Sequence, residues 1–376
     1  MQMDLGEQKL PFNFTLEEKD GKLKMQILNG EEKIEVEGLR QTEDSLFIQL
    51  PIFESVFKLK VIDDSELEGI WVNYYKSPDY KLKVKAKYGD SFRFKPKQAT
   101  QPNPLANKYE VLFTEDDSSS FPAIGIFKQE GDQLIGTFAT ETGDYRHLAG
   151  QSINDSIFLS TFDGSHAFLF KGEHQDSVIK GAFWSGNHYK ANWTAKPNAN
   201  AKLRDPDSLT FLKEGYDSFE FSLPNANGKM VSLTDSLHKN KVVIVQVMGS
   251  WCPNCLDETR FLTQLYKEYH QEGLAVIALA FERTTSKEKA LENLAELQQE
   301  TKAPYPFLLG GWNRDSQPTE VLPMLNKIMS YPTAIFIDRK GNVRKIHTGF
   351  YGPGTGSYYQ EFVSDTEQFV DSLLAE

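Results

Sequence analysis

Cysteine is almost missing: 376 residues hold two. That excludes a disulfide-stapled scaffold and a zinc site built on four thiolates. The seven histidines form no HxxxH-type pair that would complete a mixed metal site. No run of about 18 apolar residues exists, so no stretch reads as a membrane-spanning helix. Positive charge is not in surplus either. With 41 basic against 53 acidic residues the net charge is −12, which argues against nucleic acid or an anionic membrane as the main partner. The first residues, MQMDLGEQKLPFNF, have no basic start and no apolar stretch, and so do not read as a signal peptide. The expectation is a protein that is either cytosolic or shorn of a targeting segment.

The two cysteines that are present stand together. Val242 to Met248 is an apolar run broken only by Gln246, the pattern of a strand buried on both faces. Gly249 and Ser250 end it, Trp251-Cys252-Pro253-Asn254-Cys255 follows, and Leu256, Leu262, Leu265, Tyr266 and Tyr269 then recur at helical spacing. The unit is strand, turn, CXXC, helix. Cysteines three apart at a helix start can close a small disulfide ring. The first sulfur there meets unpaired N–H groups and the positive end of the helix dipole, which favour thiolate. Cys252 is therefore the expected nucleophile, exposed at the helix tip, and Cys255 the sulfur that resolves the mixed disulfide. Pro253 falls where a helix tolerates proline best. A purely structural disulfide is the bland alternative, but so short a loop gains little closure entropy. Glu258, three residues beyond Cys255, shares its helical face. It reads either as a proton carrier for the sulfurs or as a surface glutamate favoured by the helix dipole. Glu282, at the end of a second apolar strand, is a weaker candidate on the edge where α/β proteins bind ligands. Gly352-Pro353-Gly354-Thr355-Gly356 lacks the lysine of a phosphate loop and reads as a turn.

The fold class expected is multidomain: an N-terminal all-β antiparallel sandwich or barrel, then a C-terminal α/β unit. Alternation with one polar face occurs at Lys22–Ile27, Lys33–Glu37, Tyr80–Ala86 and Ser91–Phe94, with turn signals such as Asp20-Gly21, Asn29-Gly30 and Gly131-Asp132 between strands. Asp44–Ile48 is echoed by Asp155–Leu159, and Leu67–Trp71 by Ile179–Phe183, which suggests a duplicated β unit. Trp71, Phe183, Trp184 and Trp193 read as core or sheet surface, and this half is given no chemistry. The polar, proline-bearing stretch from Pro197 to Asp207 marks the boundary. The domains expected are 1–200, possibly with a docking or substrate-selecting role, a linker over 201–215, and 216–376. Strands are predicted at 241–248, 274–281, 306–309, 333–338 and 343–348, and helices at 253–271, 286–302, 318–328 and 359–374.

From about residue 216 to 376 the sequence resembles the TlpA/ResA-type thiol-disulfide oxidoreductases of the thioredoxin superfamily. The resemblance rests on Phe219-Glu220-Phe221-Ser222-Leu223-Pro224, on Asn227–Leu233, on WCPNC and on Tyr331-Pro332-Thr333 before a strand. It implies a thioredoxin-like fold in which Pro332 is cis and packs against the CXXC, leaving the Tyr331 backbone free to pair with an extended substrate. It implies a proton-handling role for Glu258, and a substrate groove lined by Trp251, Pro253, Tyr331, Gly349 and Phe350. Gln246 stands where thioredoxins carry a buried aspartate and cannot act as a base. The implied protein is a disulfide reductase of the periplasm or cell envelope. It works on protein thiols with an upstream electron donor and needs no cofactor or metal beyond the Cys252–Cys255 pair. Two other readings remain open. One is a redox-sensing adaptor whose β domain docks a partner. The other is a thiol peroxidase, although peroxidases of this superfamily usually place the reactive cysteine in other motifs.

Overall fold

The computed structural model describes residues 1–77, 79–89, 93–94, 103–216, 218–236, 238–284, 286–313 and 317–376. The chain divides into two compact units, Met1–Thr140 with Tyr145–Leu203, and Glu141–Asp144 with Arg204–Glu376.

The first unit is antiparallel β throughout. One sheet runs in the order Lys9–Pro11, Gln2–Asp4, Lys81–Lys87, Glu66–Asn73, Ser55–Asp63, Ser45–Gln49, Gly38–Gln41. A small sheet of Asn13–Lys19, Lys22–Asn29 and Glu32–Val36 accompanies it. Its first hairpin turns on Asp20 (φ 53°) and Gly21 (φ 70°), both left-handed, the turn that matches the twist of paired strands. The alternation at Ser91–Phe94 falls partly on Ser91 and Phe92, which lie outside the described residues. The other sheet closes into a barrel. From Lys108–Thr114 each strand pairs with the next through Ser120–Glu130, Gln133–Thr140, Leu148–Ile153, Ser156–Phe162, Ala167–Gln175 and Val178–Ser185. Tyr189–Pro197 then returns to pair with Lys108–Thr114. The echoed stretches hold matching places in two four-stranded meanders, one starting at Ser45–Gln49 and one at Ser156–Phe162. Trp71, Phe183 and Trp193 are buried core residues, and Phe170 stacks on Phe183 with centroids 4.3 Å apart.

The second unit is built on a mixed five-stranded sheet. We label its strands β1 (Val242–Met248), β2 (Leu274–Glu282), β3 (Phe307–Trp312), β4 (Thr333–Ile337) and β5 (Val343–Thr348), and its helices α1 (Pro253–Tyr269), α2 (Lys287–Thr301), α3 (Gln317–Val321) and α4 (Ser357–Leu374). The spatial order is β3-β2-β1-β4-β5, with β3, β2 and β1 parallel and β4 and β5 antiparallel, which is a thioredoxin-like sheet. Every residue of β1 and β2 is buried, as continuous apolar runs require when both faces are covered. Val243, Val245 and Val247 pack on one face with Ile277, Leu279, Phe281 and Phe221. Gln246 of β1 meets α1, through Cys255 and Thr259.

One helix differs from expectation. The sequence predicts 318–328, but α3 ends at Val321. Pro323 has no N–H to continue it and its ring disfavours helical backbone just before it. The following residues instead bond to the segment after the domain boundary, with Lys213 N–H donating to Met324 O (2.8 Å) and Asn326 N–H to Phe211 O (3.0 Å).

Candidate functional site

The site is assembled at the C-terminal edge of β1, where three loops meet. Cys252 is the N-cap of α1, with extended backbone (φ −104°, ψ 110°), and Pro253 opens the helix. Cys252 and Cys255 are joined as a disulfide with Cα atoms 5.2 Å apart. Cys255 N–H donates to Cys252 Sγ at 3.1 Å, the helix-end contact that steadies negative charge on this sulfur once it is reduced. Cys252 keeps 6% of its surface and Cys255 none, so the tip is less open than the helix-end argument alone suggests. The reason is packing by the neighbouring loops. The Tyr331–Pro332 bond is cis, and Tyr331 O lies 3.4 Å from Cys252 Sγ. The Tyr331 ring meets Trp251 edge-on at 5.5 Å. Among the described residues no main-chain hydrogen bond engages the Tyr331 amide or carbonyl, whereas Pro332 O accepts from Gly349 N–H at 3.0 Å.

The third loop supplies Gly349 and Phe350. The Phe350 ring is buried against Phe362 and Tyr359, so this residue meets the site through its carbonyl, 3.5 Å from Asn254 Nδ2. Asn254 Nδ2 also donates to Asp144 O at 3.3 Å, and Gly352 N–H donates to Asp144 Oδ2 at 2.6 Å. Asp144 belongs to the short Glu141–Asp144 piece of this unit. Sequence reasoning had no means of placing it there, because nothing local distinguishes these residues. Gly352–Gly356 forms a turn with a short 3-10 segment before α4.

Three residues beyond Cys255 in α1 lies an ionisable group with no exposure at all. Glu258 is fully buried, and among the described residues neither carboxylate oxygen has a hydrogen-bond partner of good geometry. Burial pushes its carboxyl up to about 8, with Gln246 nearby opposing the shift. Gln246 itself is spoken for: Nε2 donates to Cys255 O at 3.2 Å and Oε1 accepts from Thr259 Oγ1 at 3.0 Å. It ties β1 to the second cysteine.

A second buried carboxylate stands at the end of β2. Glu282, at the end of β2, accepts Ser250 N–H at 2.8 Å on one oxygen and Ser250 Oγ–H at 2.6 Å on the other. Arg283 lies flat over the Trp251 ring, 3.6 Å from its centre, and Trp251 Nε1–H donates to Phe281 O at 2.9 Å. Ser250, Asn254 and Arg283 were not singled out from the sequence. Arg283 adjoins the flagged Glu282, and Ser250 and Asn254 lie in and beside the CXXC.

The sequence around this site is similar to known proteins. The Redoxin family model matches residues 213–360 and leaves the β unit unmatched. The thioredoxin-like protein YneN of Bacillus subtilis is 32% identical over 140 residues, covering 37% of this chain and 73% of that protein. The thiol-disulfide oxidoreductase ResA of Bacillus thuringiensis is 28% identical over 132 residues, covering 35% of this chain and 68% of that one. ResA of Bacillus subtilis is 26% identical over 138 residues, with 37% and 69% covered. A solved thiol:disulfide interchange protein from Chlorobium tepidum aligns with 46% of this chain and 99% of its own at 21% identity, with a TM-score of 0.31, too low to bear on function.

Proposed function

The chain belongs to the TlpA/ResA-type thiol-disulfide oxidoreductases of the thioredoxin superfamily, and from this premise we propose that it reduces protein disulfides in the cell envelope through Cys252 and Cys255. The observation that carries the proposal is the cysteine pair at the start of α1, with the Tyr331 carbonyl beside the first sulfur. In the reduced protein the Cys252 thiolate attacks one sulfur of a substrate disulfide and expels the other as thiolate. Cys255 then attacks Cys252 Sγ, the substrate leaves as a dithiol, and two electrons have passed from the cysteine pair to the substrate. An upstream dithiol donor restores the pair. An extended substrate segment can pair with the Tyr331 backbone as an added strand, between Trp251 and the Gly349–Phe350 loop. Glu258, held protonated at neutral pH, exchanges a proton with the Cys255 sulfur as the disulfide opens and closes. The cell-envelope assignment rests on the family resemblance. Among the described residues no helix is long and apolar enough to cross a membrane.

An insulin-reduction assay with a measured potential tests this reading. Turnover with a potential near about −270 mV marks a reductase, and one near about −120 mV marks an oxidant. No turnover, with hydroperoxide consumed instead, would replace the reading by a peroxidase. Two further outcomes are expected. Under mild alkylation of the reduced protein Cys252 is labelled before Cys255, because only Cys252 keeps exposed surface; peptide mass mapping reads the order, and the reverse order exchanges the two roles. A chain beginning at residue 204 unfolds cooperatively and still reduces insulin, because it carries all of the sheet, α1 and the cis-proline loop. The fragment lacks Glu141–Asp144, so one that is unfolded or inert would show that this piece, whose Asp144 meets Asn254 and Gly352, or the β unit that precedes it, is part of the redox machinery.

A further inference from the structure

We infer that Glu282 is a positioning residue for the Cys252 nucleophile, acting through Ser250; this deepens the redox reading and rests on it. The geometry is a clamp. Glu282 is fully buried at the end of β2, and its two carboxylate oxygens take both donors of Ser250, the N–H at 2.8 Å and the hydroxyl at 2.6 Å. Ser250 is buried too, and lies two residues before Cys252 in the turn between β1 and α1. The neighbours of Glu282 hold the next residue of the turn: Phe281 O accepts from the Trp251 indole and Arg283 covers the Trp251 ring. Three consecutive residues of β2 and its exit thus fix Ser250 and Trp251. The turn in turn sets Cys252, whose N–H donates to Gly249 O at 3.1 Å and whose sulfur receives Cys255 N–H. A carboxylate suits this place because it offers one acceptor to each of two buried donors.

Charge and position pull the Cys252 thiol in opposite directions, and that separates them. A nearby negative charge disfavours thiolate, so losing the charge alone lowers the thiol pKa. Losing the clamp lets the sulfur drift from the helix N–H groups, so the pKa rises. The test uses the reduced full-length protein, with the rate of Cys252 alkylation followed against pH by peptide mass. Glu258, Asp257, Asp144, Arg283 and Tyr331, the other ionisable groups named around the cysteines among the described residues, are unchanged in every variant. Glu282→Ala is expected to raise the apparent Cys252 pKa by about one unit, a roughly tenfold loss of thiolate below it. Glu282→Gln is expected to give a value at or below that of the unaltered protein. Its amide oxygen can accept the Ser250 N–H, and its NH₂ can donate to the Ser250 hydroxyl, so the clamp survives without the charge. Ser250→Ala, which keeps the backbone bond and loses the hydroxyl arm, moves the pKa upward by less, and it decides the matter if Glu282→Ala does not fold. A fall in Glu282→Ala, or in its absence no rise in Ser250→Ala, overturns the inference, as does an unmoved pKa in a folded Glu282→Ala. The measurement needs no substrate, so a protein inactive on insulin can still show the shift, and the two readings fail separately.

Discussion

Cys255→Ser is expected to stop the reaction halfway and leave the substrate covalently attached. The variant keeps the sulfur at the helix start and the cis-proline loop beside it, so the first exchange proceeds. Nothing then attacks Cys252 Sγ from within the helix. Because the chain has no other cysteines, the outcome is unambiguous by intact mass. Reduced Cys255→Ser treated with an aromatic disulfide releases one thiolate and gains the mass of the other. The unaltered reduced protein releases both and returns to its disulfide. Cys252→Ser loses activity by at least about three orders of magnitude, since an alcohol oxygen cannot form the mixed disulfide through which exchange proceeds. A Cys255→Ser chain that turns over as fast as the unaltered protein would show that resolution comes from the substrate's own second thiol. A Cys252→Ser chain that forms the adduct through Cys255 would reverse the order of attack.

The same spacing that makes these outcomes clear made the cysteines legible in the sequence. A CXXC between an all-apolar strand and a helical repeat carries its chemistry locally, because the turn geometry and the helix N-terminus are properties of adjacent residues. β1 and β2 were readable for a similar reason: strands buried on both faces leave continuous apolar runs. Alternation in the first half announced antiparallel strands but not their closure. That depends on Tyr189–Pro197 meeting Lys108–Thr114, a pairing between segments remote in sequence. α3 stops short of the predicted 328 because Pro323 cannot continue it and residues 211–213, which are remote in sequence, supply the competing main-chain bonds.

The carboxylates of the site were harder. Glu258 at the third place after Cys255 is compatible with a solvated first-turn glutamate, and only the packing of other elements makes it buried. Tyr305 donates to Thr259 O at 3.3 Å, and its phenol pKa is raised by burial first and then by Glu258 nearby. Glu282 was visible as a strand-end residue, but its partner was not, since Ser250 carries no signal beyond its place in a turn. Burial of a charge is a tertiary property, and a single chain records it poorly.

That burial sets the last expectation, a change in stability with pH that one substitution removes. The Glu258 carboxyl is raised from an ordinary 4.5 to about 8 in the folded protein. A raised pKa means the folded state holds a proton that the unfolded state gives up between these values. The favourable contribution is therefore complete below about pH 4.5 and is lost as pH climbs through about 8. Within that window the oxidised protein loses up to about 1.4 kcal/mol per pH unit from this group alone. Glu258→Gln cannot ionise. In the oxidised state, where the cysteines do not titrate, its unfolding free energy should be close to that of the unaltered protein near pH 5 and exceed it by a few kcal/mol near pH 9. The difference curve isolates Glu258, because every other titrating group is shared. In the reduced state the carboxylate that forms near pH 8 opposes the thiolate beside it. Glu258→Gln should then lower the higher of the two coupled thiol pKa values by at least about half a unit. Disulfide reduction at neutral pH should slow about a hundredfold, the low side of what a positioned proton donor contributes. Parallel stability curves for the two proteins from pH 5 to 9 would show that Glu258 ionises normally, and the proton-transfer role proposed for it would go with them.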